Sequence, residues 1–181
     1  MLNNLFLLVF YTLSLKLYKS VNKIQYKKMK LLLIINFFFR RITKSKKIKL
    51  LLTQTTSFRV RYGETDQMGV VYHGNYAQFF EIGRIDWLRA FGISYKNMEE
   101  NNVMLPVVSL QCNFKKSAEF DDEITVKTTL KKIPTVKIEF DYEIFNQKNE
   151  LLTTGQTMLA FIDMKTKKPM RCPDYILEKL V

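Results

Sequence analysis

The chain is poor in the residue types from which metal centres and covalent scaffolds are built, with two cysteines and one histidine in 181 residues. Cys112 and Cys172 have no CxxC spacing, and with His73 as the sole imidazole they cannot make up a four-ligand zinc site. The same count argues against a disulfide framework. Any Ser-His-Asp or Cys-His machinery is confined to His73, and GxSxG, GxGxxG and GxxxxGK(S/T) patterns are absent. An enzyme built on this sequence works with carboxylates and backbone donors, and calls for no metal or bound redox cofactor.

Acidic residues are missing from the first 53 positions, which carry 12 of the 29 Lys and Arg. Residues 54–181 are left with 17 basic and 17 acidic side chains, a net charge of zero. A nucleic-acid binder carries its basic excess on the folded domain, where it neutralises phosphates, so this distribution argues against nucleic acid as a partner. Long apolar runs are missing too. Leu5 to Tyr11 and Leu31 to Phe39 both fall short of the roughly 20 residues that cross a bilayer. Residues 1–53 therefore read as a basic apolar leader with three interpretations: a targeting segment, a membrane-surface amphipath, or residues translated from upstream of the true start. The third is favoured by the Lys/Asn/Ile/Phe bias and the lack of caps or a steady period. The domain is expected over 54–181, in the cytoplasm, or in an organelle if the leader is a targeting signal.

From Thr56 the pattern becomes regular. Phe58, Val60 and Tyr62 alternate with Arg59 and Arg61, which predicts a strand with one apolar face. A loop follows from Gly63 to Tyr72, with Gly69 available for a positive φ. Tyr76, Phe79, Phe80, Gly83, Trp87 and Phe91 recur at spacings of three and four, predicting a helix from about Gly74 to Phe91 that stops at Gly92. Glu81, Arg84 and Arg89 are expected mostly to face away, with Glu81 and Arg84 forming a surface or interface ion pair. Gly83 costs about 1 kcal/mol in helix propensity, for which close approach to a sheet would compensate. Four strand-like runs complete the domain: Pro106 to Lys115, Asp122 to Lys131, Thr135 to Phe145 and Leu151 to Ile162. In the third, Val136, Ile138, Phe140, Tyr142 and Ile144 alternate with charged residues, so one face is buried. Turns at Lys131 to Pro134 and Asn146 to Asn149 suit antiparallel neighbours, and Pro173 to Leu180 reads as a short helix or an irregular tail. The expected class is α+β, an antiparallel sheet curled around one long helix.

Residues 59–84 read RVRYGETDQMGVVYHGNYAQFFEIGR, within which TDxxGVVYHxxYxxxFE fixes a loop acid, a glycine, an apolar pair and a helix start in order. This resembles the signature of hot-dog-fold acyl-CoA thioesterases of the 4-hydroxybenzoyl-CoA thioesterase type, including the YbgC/FadM-like group, and the likeness extends over about 56–181. The resemblance implies a hot-dog fold of about five antiparallel strands, hydrolysis of an acyl-CoA thioester, and a homodimer or homotetramer with the active site at the dimer interface. It implies Asp66 as the catalytic carboxylate, acting either as nucleophile or as general base. Composition alone leaves Asp66 as the closure of an Asx-turn.

His73 and Gly74 fall at the predicted helix start, where free N–H groups can hold the oxyanion of an attacked thioester. By resemblance the backbone at His73 is the donor, and an imidazole role stays open. Tyr72, Asn75 and Tyr76 flank the same corner. Tyr76 reads as core, and Asn75 could orient water or cap the helix. Lys115 and Lys116 could meet the phosphates of coenzyme A or form a solvated charge pair. Met104, Leu105 and Val107 could line an acyl channel or belong to the core, and Glu81 remains a minor alternative carboxylate. The competing functions are a hydroxyacyl-thioester dehydratase, which needs a catalytic His, and a non-catalytic acyl-thioester-binding module.

Overall fold

The computed structural model describes residues 52–180, and the expectations for the leader up to residue 51 lie outside the described residues. The elements are β1 (Thr53–Arg59), α1 (Asn75–Ala90), α2 (Tyr95–Glu100), β2 (Val103–Met104), β3 (Val107–Phe114), β4 (Glu123–Leu130), β5 (Lys137–Phe145), β6 (Leu151–Ala160), β7 (Ile162–Asp163) and α3 (Asp174–Leu177). Five strands form one antiparallel sheet in the order β1-β4-β5-β6-β3, and β2 pairs separately with β7. Among the described residues no helix is long and apolar enough to cross a membrane.

One face of the sheet is apolar because the strands alternate. Ile138, Phe140, Tyr142 and Ile144 of β5 are buried, as are Ile124, Val126, Thr128 and Leu130 of β4. Helix α1 lies on that face and touches all five strands. The Phe79 ring meets Phe58 of β1 edge-on at 5.2 Å, Phe80 stacks on Tyr142 of β5 at 4.6 Å, and Tyr76 meets Phe114 of β3 at 5.2 Å. Gly83 passes so close to β4 that a Cβ there would stand 2.6 Å from Thr128 Oγ1 and 2.8 Å from Val126 Cγ1. Gly155 of β6 does the same for Phe80, whose Cζ would lie 2.2 Å from an added Cβ. The Trp87 indole donates to the Leu52 carbonyl at 2.9 Å, and Leu52 itself is buried. The fold thus takes in Leu52 and Thr53, which composition had grouped with the leader.

Several expectations change. The first strand ends at Arg59, and the chain turns into a 3-10 segment at Tyr62–Glu64, leaving Tyr62 78% exposed instead of on the buried face. Val136 precedes β5 and is also exposed. Arg84 is buried, not solvated: it sits four residues after Phe80 and three before Trp87, on the same stripe as the apolar positions. Its Nε donates to the Tyr95 hydroxyl at 3.0 Å, and it makes no ion pair with Glu81, which is exposed. Helix α2 and the β2–β7 pair went unread, although Ser94 supplies a helix start, its Oγ accepting from Asn97 N at 3.1 Å. Gly92 ends α1 with φ +68°, and Asn149 closes the β5–β6 turn with φ +59°.

The Gly83 contact yields a first prediction. Gly83→Leu should abolish soluble, cooperatively folded protein, because β-branched Val126 and Thr128 cannot yield and overpacking costs about 1–3 kcal/mol or more. Circular dichroism during thermal denaturation is the readout, and a normal cooperative transition would contradict the close contact.

Candidate active site

The loop between β1 and α1 is a small hairpin folded back on itself. Thr65 bridges Val71, Val70 bridges Glu119, and Val71 N donates to Ala118 O at 2.8 Å. At the tip, Asp66 N donates to Val70 O and Gly69 N donates to Asp66 O, both at 2.9 Å. Asp66 Oδ1 accepts from Met68 N at 2.8 Å, so the Asx-turn that composition suggested is present. One carboxylate oxygen takes that bond and the residue remains partly accessible, so closing the turn does not consume the carboxylate. Gly69 has φ +77°, the left-handed conformation that turns the tip.

The base of the hairpin is held by Glu64. Its side chain is buried and accepts from Arg61 N at 2.7 Å, Arg61 Nε at 3.0 Å and Arg61 Nη2 at 2.6 Å. Its carbonyl accepts from Tyr72 N at 2.9 Å and from the Asn75 side-chain amide at 2.7 Å. Asn75 therefore commits one of its two amide hydrogens to Glu64 and does not cap α1, whose N-cap is Gly74. Sequence reasoning missed Glu64, although the Arg61-x-x-Glu64 spacing is that of a reciprocal capping pair.

Beyond the hairpin the chain turns through Tyr72, His73 and Gly74 into α1, with Asn75 N donating to Tyr72 O at 2.9 Å. Among the described residues, the main-chain N–H groups of His73 and Gly74 meet no protein acceptor. Both stand where the positive end of the α1 dipole lies. The Tyr72 ring packs on the His73 ring at 4.3 Å and under Gly74, where a Cβ would fall 2.5 Å from Tyr72 Cε1. A side chain at this position would require the Tyr72 ring to shift from where it lies. The His73 side chain is exposed. Tyr76 is buried in the core as expected, and its hydroxyl accepts from Ala118 N at 3.3 Å.

The remaining candidates divide. Lys116 Nζ pairs with Glu150 Oε1 at 2.5 Å, and Lys116 with Asn146 holds the Glu150 carboxyl below its usual range. Lys115 is exposed, and the end of β3 is brought to the helix start by the Phe114–Tyr76 contact. Leu105 belongs to the core, Met104 is half-buried and Val107 faces outward. Burial pushes the Cys172 thiol up to about 12 and raises Cys112 as well, so neither supplies a ready thiolate. Among the described residues no group of three or more His, Cys, Asp or Glu could hold a metal ion. The arrangement is a carboxylate on a hydrogen-bonded loop tip that leads into two free N–H donors at a helix start, groups suited to attack on a carbonyl whose oxygen gains charge.

The sequence profile of the Thioesterase-like superfamily matches residues 60–180. The chain belongs to this family. The superfamily accounts for the antiparallel sheet and central helix as a hot-dog fold. The chain is 34% identical over 112 residues to YneP of Bacillus subtilis, spanning 62% of this chain and 81% of that one. It is 29% identical over 119 residues to the acyl-CoA thioester hydrolase YbgC of Escherichia coli, spanning 66% and 89%. The structure of a DHNA-CoA thioesterase from Staphylococcus aureus superposes with a TM-score of 0.65 at 44% identity, covering 68% of this chain and 83% of that one.

The geometry of the tip can be tested through Gly69. A Cβ at that position meets nothing within 4 Å, so any penalty comes from the backbone alone. Gly69→Ala should destabilise by about 1–2 kcal/mol and Gly69→Asn by less, because Asn tolerates the left-handed region. Urea denaturation measures both, and equal effects would show that φ is not the constraint.

Proposed function

We propose that this protein hydrolyses an acyl-CoA thioester to the free carboxylic acid and coenzyme A. The observation that carries the reading is the pair of unpaired N–H groups at His73 and Gly74, placed at a helix start next to the loop that presents Asp66. Membership of the superfamily and the likeness to the acyl-CoA thioester hydrolase YbgC and to the Staphylococcus DHNA-CoA thioesterase support it.

In this reading the thioester oxygen lies against the two N–H donors. The ionised Asp66 carboxylate either adds to the carbonyl carbon or takes a proton from the water that does. The C–S bond breaks and the thiolate of coenzyme A leaves and is protonated; on the nucleophilic route water then cleaves the acyl–Asp66 anhydride to give the free acid and restore the carboxylate, so either route consumes one water. No cofactor is needed beyond the coenzyme A that belongs to the substrate. His73 serves through its main chain, since its side chain is exposed and packs on Tyr72. That arrangement favours hydrolysis over a dehydratase, which would need the imidazole.

The working species in this reading is a homodimer. Strand β3 is an edge strand of the sheet, with Val107, Val108, Leu110 and Phe114 between 46% and 52% exposed. An open edge carrying apolar side chains invites pairing with a second copy, and Phe114 connects that edge to Tyr76 at the helix start. The two free cysteines suit the reducing cytoplasm, and the leader takes no part in the chemistry.

Thiol release from short, long and aromatic acyl-CoAs tests the activity. Asp66→Asn should lower kcat at least about 10²-fold with the fold intact. His73→Ala should cost less, and an equal loss would assign the imidazole a chemical role. Leu110→Lys, which places a charge on the open edge, should shift the protein to monomer in sedimentation and reduce turnover with it; an unchanged dimer would remove β3 from the interface.

A further inference from the structure

We propose that Asn75 is a positioning residue, whose side-chain amide sets the placement of Asp66 relative to the N–H donors of His73 and Gly74. The inference rests on the hydrolytic reading above and assigns Asn75 a part in it other than substrate contact or helix capping. Asn75 Nδ2 donates to the Glu64 carbonyl at 2.7 Å across eleven positions of sequence. That carbonyl lies two residues before Asp66, and Asn75 follows directly on the two donors, so the bond ties the first residue of α1 to the limb of the loop that carries Asp66. The acceptor is itself held: the Glu64 side chain is 8% exposed and takes three hydrogen bonds from Arg61. The carbonyl's other bond, from Tyr72 N at 2.9 Å, runs from the same turn, and with Asn75 in place both of its lone pairs are used.

Asp66 N to Val70 O and Gly69 N to Asp66 O keep the shape of the tip, and the Val71–Ala118 bond and the Val70–Glu119 bridge hold its returning limb to the segment before β4. The Asn75 bond is what ties its outgoing limb, through Glu64, directly to the first residue of α1. A displacement of about 1 Å between reacting groups can cost on the order of 10² in rate. Asn75 touches no reacting atom in this arrangement, so the loss falls on kcat and not on substrate affinity.

The test uses the full chain. Asn75→Ala should lower kcat for acyl-CoA hydrolysis about 10–100-fold at nearly constant KM. In an Asp66→Asn background the same substitution should add less than about threefold, because the carboxylate it positions is gone. Full multiplicative loss in the double variant, or a loss expressed in KM, overturns the proposal. Amide hydrogen exchange needs no substrate and separates this outcome from failure of the hydrolytic reading. In Asn75→Ala the Asp66 and Tyr72 amides should exchange about fivefold faster or more, while α1 amides beyond Phe79 keep their protection. Unchanged exchange at the loop, or acceleration along the whole of α1, would reduce Asn75 to an ordinary structural contact. A wild-type protein that releases no thiol from any acyl-CoA but shows the local exchange effect would discard the hydrolytic reading and keep the tie.

Discussion

The approach of α1 to the sheet at Gly83 governs the rest of the molecule. A helix normally keeps its axis about 8–10 Å from that of a packed helix because side chains intervene. Here a missing Cβ lets the backbone settle against Val126 and Thr128, at the cost of leaving the Thr128 hydroxyl buried without a hydrogen-bond partner among the described residues. Once the helix is seated there, Phe79, Phe80 and Tyr76 reach β1, β5 and β3 in turn, and Gly155 yields the room that Phe80 fills. The start of the helix is carried to one place beside the β1–α1 loop, and the candidate site is assembled from that placement.

A second consequence is the polar layer in the middle of the core. Arg84 lies within the apolar stripe, and among the described residues it has no carboxylate partner. Burial works against its charge, but the Tyr95 and Tyr142 hydroxyls outweigh that and hold the guanidinium above its ordinary value. Burial likewise pushes the Tyr142 hydroxyl up, opposed by the neighbouring Arg84 and by the bond to Thr157 at 2.8 Å. A buried cation satisfied by hydroxyls admits few alternative packings, and it fastens α2 to α1 through Tyr95.

The chemistry needs little beyond what backbone geometry supplies. The N–H groups of His73 and Gly74 are free because the turn into α1 pairs Asn75 N with Tyr72 O and Tyr76 N with His73 O and leaves the two preceding donors without an acceptor. A single carboxylate on a glycine-closed tip completes the set. A thioester carries its own good leaving group, so a strong acid or a metal is not required to drive its cleavage. The rigidity of the hairpin base, where Glu64 is held by Arg61 and Asn75, supplies the remaining requirement, a fixed geometry.

The alternation of β5 and the three-and-four spacing of α1 were legible because each reports burial of one face by a single element. The TDxxGVVYH segment was legible because its chemistry is local: Asp66, Gly69 and the helix start lie within nine residues. What crossed between elements was hidden. Arg84 was read as solvated because charge usually marks the outer face, and only the arrival of Tyr95 and Tyr142 makes its burial tolerable. Tyr62 alternated like a strand residue, but the turn held by Glu64 took it out of the sheet. The strand order, with β3 joining β6 at one edge and β1 joining β4 at the other, is likewise a tertiary outcome. Alternation states which face of a strand is buried; it carries no information on which neighbour will pair, because hydrogen bonding along a strand is the same for every sequence.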